Sequence, residues 1–217
     1  MRSGDRSHPL FRNSWQKPKN HSKATLTRLR VSKPKPINKE KILKDIIDSA
    51  ACAKAHFDIL WAQISECVPE YTDIMNEHSD FFRASRDAHH KAFIMSIAQL
   101  YDDDENSSTL RTYLKISAPE TPTNKHNELK EKYQKLKIQA LPIMRARHKT
   151  IAHIDARLTQ KEVWLPLKIT WNEIKSIVCD TAQFVAELAN ATHLGAIGIP
   201  ENKRMNKAVT KLLESLK

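Results

Sequence analysis

Apolar residues recur along most of this chain at three- and four-residue steps, the period of one face of an α-helix. From Asn38 onward Ile42, Ile46, Ala50, Ala53, Phe57, Leu60, Ile64 and Cys67 keep that rhythm. A second stretch, from about Ser79 to Tyr101, repeats it with Phe82, His89, Phe93, Ile97 and Leu100. Pro69 lies between the two and interrupts helical hydrogen bonding, so they are predicted to fold back as an antiparallel hairpin. The run Asp102-Asp103-Asp104-Glu105-Asn106-Ser107-Ser108 is a polar loop, with Ser107 or Ser108 as the cap of a short helix carrying Leu110, Tyr113 and Leu114. Its clustered acids invite a metal reading, but consecutive loop carboxylates lack an ordered ligand geometry, and the loop-and-cap reading is preferred.

Pro119 and Pro122 then break the chain, and Asn124–Ala140 reads as a charged helix with Leu129, Tyr133 and Leu136 inward. Pro142 fits the first turn of a new helix, where its missing N–H costs nothing, and that helix is expected to reach about residue 154. Val163–Leu167 reads as extended or irregular, its proline arguing against a central strand. Thr170 and Glu173 form a capping box opening a long helix with Ile174, Ile177, Val178, Phe184 and Leu188, which Gly195 and Gly198 stop. A short helix over about Lys203–Leu216 closes the chain. The expectation is an all-α fold, a bundle of about five to six helices over residues 38–200. A basic disordered tail, residues 1–37, precedes it, and a short C-terminal helix, 201–217, follows.

Charge sharpens that division. The chain carries 36 Lys and Arg against 25 Asp and Glu, a net +11. Residues 1–36 alone hold ten of the cations and one acid, Asp5, so +9 belongs to the tail and +2 to the rest. Such a segment repels itself and buries too little apolar surface to offset its ordering entropy. With Phe11 and Trp15 it suits a phosphate backbone by counterion release and stacking, or is a solvated extension without specific role. Its acid-poor composition also fits a transit peptide, while a secretory signal and a membrane span lack the necessary apolar run. Cys52, Cys67 and Cys179 are far apart and read as buried small hydrophobes in a reducing, cytoplasmic setting. With three glycines there is no Gly-rich phosphate loop, and no cofactor or metal is implied. Trp61, Trp164 and Trp171 read as core or dimer packing, and of His89 and His90 one should face the core and one the solvent.

The densest chemistry lies in Arg145-Ala146-Arg147-His148-Lys149-Thr150-Ile151-Ala152-His153-Ile154-Asp155. On an ideal helix Arg145, Lys149 and His153 share one face, two fixed cations and a titratable imidazole suited to a phosphate. Arg147 leans instead toward the side of Ile143, Ile151 and Ile154, so spacing leaves open whether it serves the site or is a partly buried structural arginine. Asp155 suits the orientation of an imidazole, although two residues from His153 it points to the other side.

The segment Arg147–Asp155 resembles the signature of the HEPN superfamily, an Arg separated from a His by four to six residues. Its Ile-Ala-His-x-Asp ending is similar to the abortive-infection branch of AbiU type. The stretches from Ala88-His89-His90-Lys91-Ala92 to Leu100-Tyr101-Asp102, and Ser108-Thr109-Leu110, resemble that branch's first helical hairpin. The likeness covers roughly residues 40–195. It implies a helical bundle pairing as a homodimer, with both Arg/His motifs in one cleft, and a metal-independent endoribonuclease. Arg147 and His153 are then the catalytic pair, and Arg145, His148 and Lys149 contact the nucleic acid. His148 occupies a position where the family carries a polar Asn, Asp or His. The partners implied are RNA (tRNA or mRNA), a second copy of the chain and an antitoxin, in a toxin or phage-defence role. The alternative is a non-catalytic module of the same fold that binds nucleic acid or nucleotide.

Overall fold

The computed structural model describes residues 38–149, 160–192 and 203–217, and every regular element among them is helical. The basic tail, and Gly195 and Gly198, lie outside the described residues. Asn38 opens the first helix, α1 (Lys39–Trp61), its side chain accepting the Lys41 N–H at 3.0 Å. The chain runs on through one wide turn, Ala62–Glu66, in which the Cys67 N–H reaches the Ala62 carbonyl at 2.9 Å. The apolar rhythm from Ile46 to Cys67 therefore marks one nearly continuous rod, with Ile42 only half-buried beside the fully buried Leu43.

A short helix, α2 (Thr72–Glu77), lies between Pro69 and α3 (Ser79–Leu100). Six residues hold too few repeats for a period to be read, so it is absent from the sequence pattern. Helix α3 returns antiparallel along α1: Phe57 meets Phe93 edge-to-face at 5.5 Å, and farther along Gln63 donates to Ser85 at 3.0 Å. Helix α4 (Leu110–Ser117) follows the acidic loop, with Leu110, Tyr113 and Leu114 buried. Its cap is Thr109, whose hydroxyl accepts the Thr112 N–H, rather than Ser107 or Ser108. Those two serines are engaged elsewhere, Ser107 on Asp104 at 2.9 Å and Ser108 on Asp45 at 2.6 Å.

Helix α5 runs unbroken from Thr123 to Arg147, which corrects the expected division at Pro142. A proline inside a helix frees the carbonyl four residues earlier. That position is Ile138, 66% exposed, on a face of the helix where a freed carbonyl can be hydrated, and the helix continues. The stretch expected to be extended is also helical: α6 (Gln160–Trp164) passes into a tight turn, Leu165–Leu167, that tolerates Pro166 in its first positions. Helix α7 (Trp171–Ala191) opens with the complete capping box, Thr170 and Glu173 each accepting the other's backbone N–H. It ends ahead of the glycines, at Thr192, whose hydroxyl bonds back to the Leu188 and Ala189 carbonyls and accepts from Tyr113.

Successive long helices α1, α3, α5 and α7 pack side by side, and α7 returns against α1, so the four close around one core. Helix α8 (Lys203–Ser215) adds Val209 and Leu213 to a smaller cluster with Ala62, Cys67, Tyr71, Met75 and Phe82. Six of the described helices have eight residues or more, and α2 and α6 are the short ones. None is long and apolar enough to cross a membrane. All three cysteines are free, and Cys52 is exposed where a buried position was expected. Trp61 stacks on Phe57, with the Lys175 ammonium 4.6 Å from its ring centre.

Neither His89 nor His90 faces solvent freely. His89 Nδ1 lies 2.7 Å from His56 Nδ1 across the α1–α3 seam, and His90 sits against Trp164, Trp171 and Phe93. Burial lowers all three imidazoles from their ordinary value, and proximity to His56 lowers His89 further.

Phe57, fully buried against Phe93 and Trp61, fills the middle of the seam. Phe57→Ala should cost about 3–5 kcal/mol in urea unfolding. The lowered imidazoles give stability a pH slope. Below the unfolded value of about 6.5 the unfolded chain binds protons that the fold refuses, so stability is full above that pH and declines beneath it. Urea midpoints should therefore fall from pH 7.5 to pH 5.5, and less steeply in His90→Phe.

Candidate functional site

The last turns of α5 carry the chemistry that the sequence singles out. Ala140, Ile143 and Ala146 are buried, and Arg147 continues the stripe of Ala140 and Ile143, three and seven residues on. Arg147 is accordingly half-buried, with 31% of its side chain exposed, while Arg145, His148 and Lys149 are exposed. The structure places Arg147 on the core side and Arg145 and Lys149 on the water side. His153 and Asp155 lie outside the described residues, so the Arg147–His153 pairing stays an expectation from the sequence.

Arg147 is met by a carboxylate. Its terminal nitrogen Nη1 is 3.6 Å from Oδ2 of Asp102, the second residue beyond α3. The other Asp102 oxygen, Oδ1, accepts the Asp104 N–H at 3.0 Å, which fixes the carboxylate in the turn. The Arg147 Nε–H is buried and has no hydrogen-bond partner among the described residues. The guanidinium thus has one edge drawn to an acid and a further donor uncommitted. A planar group of this kind can offer two N–H bonds to a phosphate.

The rest of the acidic loop is ordered in the same manner. Asp103 pairs with Lys137 of α5 and Arg111 of α4, and Glu105 reaches Arg111 at 3.7 Å and Lys115 at 3.6 Å. Lys137, with Arg111 behind it, holds the Asp103 carboxyl below the usual carboxylate range. Asp104 closes the turn by accepting the Asn106 N–H and the Ser107 hydroxyl. Four consecutive acids therefore act as straps and turn-formers, with Arg111 shared between Asp103 and Glu105. Among the described residues no group of three or more His, Cys, Asp or Glu is arranged to hold a metal ion. Asp102 is the residue that spacing alone missed. The available signal was an acid directly after a helix end, in a chain whose motif arginine leans inward and needs a counter-charge.

No curated protein and no solved structure matches the chain. The family model of AbiU2, a HEPN domain, matches residues 41–195, from the first turn of α1 to just beyond α7. That span takes in the four long packed helices, the strapped loop and the whole Arg147–Asp155 segment, so the chain belongs to the AbiU2 family of HEPN domains.

Proposed function

We propose that the chain is a metal-independent endoribonuclease, a toxin or abortive-infection effector of phage defence, with Arg147 and His153 as its catalytic pair. The observation that carries this reading is the half-buried Arg147, held by Asp102 with its Nε–H uncommitted, six residues before a histidine in a HEPN chain. The superfamily includes ribonucleases and abortive-infection proteins.

In this reading the nucleophile is the RNA's own 2′-OH. Its oxygen bonds to the adjacent phosphorus as the bond to the 5′-oxygen breaks, leaving a 2′,3′-cyclic phosphate and a 5′-OH. A base takes the 2′-OH proton and an acid returns one to the departing oxygen, roles an imidazole can fill near neutral pH. His153 serves there, and a second copy of the chain would bring a second imidazole to the same cleft. Arg147 stabilises the charge that develops on the phosphoryl oxygens. Arg145, His148 and Lys149, exposed beside it, hold the backbone without reading sequence. RNA, as tRNA or mRNA, is the substrate class, and an antitoxin is the partner expected to restrain such an activity.

A second reading, a non-catalytic module that binds nucleic acid or nucleotide, draws on the same Asp102 contact, because a paired arginine also serves as architecture.

Purified chain incubated with mixed tRNA and mRNA in excess chelator separates the two. Cleavage to cyclic-phosphate ends is expected, reduced about 10²–10⁴-fold in His153→Ala and in Arg147→Ala. Salt-dependent binding with no cleavage would establish the module instead. Asp102→Asn gives a finer test. The pair is partly exposed and long, so the substitution should cost about 1 kcal/mol or less of stability. Its cleavage rate should fall by about an order of magnitude, because Arg147 loses the group that aims it.

A further inference from the structure

A cleft lined by several cations lies between α4 and α5, on a part of the chain that the Arg/His motif does not use. The cleft has a volume of about 510 Å³, within the range of small-molecule sites. Arg111 and Lys115 enter it from α4, Lys130 and Lys137 from α5, and the only lining carboxylate is Asp103. Leu114, Ala118 and the Tyr133 ring supply an apolar side. A cleft with cations from both of its helices and an apolar surface among them matches an anion that carries an organic body.

Two polar atoms there lack a well-formed hydrogen bond. Tyr133 is 3% exposed, and its hydroxyl lies beside the Lys137 ammonium without a well-formed hydrogen bond, while the buried Nδ1 of His126 has no partner among the described residues. A buried hydroxyl left without a partner is destabilising, and a bound acceptor removes that cost. Burial also pushes the Tyr133 hydroxyl up, so it stays protonated and able to donate at neutral pH. Lys137 is firmly paired with Asp103, but the other cations are held loosely or not at all. Arg111 pairs with Asp103 at 3.4 Å and Glu105 at 3.7 Å, and Lys115 with Glu105 at 3.6 Å, all on exposed side chains. Ion pairs of this kind contribute little and exchange readily. Lys130 has no carboxylate partner among the described residues.

We propose that the cleft between α4 and α5 binds a small organic polyphosphate, its phosphates on Arg111, Lys115, Lys130 and Lys137 and its body on Leu114, Ala118 and Tyr133. Phosphate favours Arg and Lys together because the guanidinium meets two oxygens while the ammonium adds a compact charge. The site stands or falls independently of nuclease activity, since its ligand is read by binding alone.

The test is calorimetric titration of the full-length chain with ATP as the probe and inorganic tripolyphosphate as the comparator lacking an organic body. ATP should bind, and tripolyphosphate should bind more weakly. Lys130→Gln and Tyr133→Phe should each weaken ATP by about five-fold or more, whereas Lys211→Gln on α8, which removes one exposed charge elsewhere, should not. Lys130 is exposed, so Lys130→Gln keeps the test decisive even where a substitution at Tyr133 disturbs folding. Absence of ATP binding at low salt would overturn the proposal. So would binding that survives both cleft substitutions, or that is lost in Arg145→Gln instead, which would move the anion to the end of α5. Equal affinity for tripolyphosphate would remove the organic body from it.

Discussion

Helix α1 carries an apolar face too broad for one neighbour to cover. Leu43, Ile46, Ala50, Ala53, Phe57 and Leu60 are all nearly inaccessible to water, and α3 and α7 together cover them. Removing that much apolar surface from water is the dominant favourable contribution to such a bundle. It also fixes the positions of its neighbours. With α3 and α7 set against α1, α5 packs against both, and the polar end of α3 is brought to the flank of α5. The placement of Asp102 beside Arg147 follows from packing between residues that have no chemistry of their own.

The bundle was legible because long helices repeat their period many times. The seam of α1, the boundaries of α3 and the capping box of α7 all rest on residue types whose preference and tertiary environment agree. Failures cluster where a local rule met a competing interaction. Pro142 has an ordinary reason to start a helix, but its place opposite the exposed Ile138 makes its presence inside α5 tolerable. Ser107 and Ser108 are good caps by type, yet the acids of their own surroundings claim both hydroxyls. Thr192, whose hydroxyl accepts from Tyr113 of another helix, caps α7. Contacts of that range cannot be read from neighbouring residues.

The candidate site divides in the same way. The inward lean of Arg147 and the outward turn of Arg145 and Lys149 follow from counting residues along a helix. Asp102 does not follow from helix spacing, because it arrives from the far end of α3, and only its place just past that helix sets it apart from three neighbouring acids. What separates the four is direction: adjacent carboxylates Asp102 and Asp103 reach cations ten residues apart on α5, about 15 Å along its axis. One short turn thereby ties the middle of α5 to its end. The Tyr133 hydroxyl was equally invisible, since inward tyrosines ordinarily find a partner and only the structure reveals one without a well-formed hydrogen bond.

The continuity of α5 has a consequence for how this domain can change over evolutionary time. Its 25 residues form one uninterrupted screw, on which each residue added turns everything beyond it by about 100°. One amino acid gained or lost between Tyr133 and Ile143 would swing Arg147 off the stripe it shares with the core and leave Asp102 facing another side chain. Lineages of this fold should therefore hold the spacing from Lys137 to Arg147 constant even where the residues between them are exchanged.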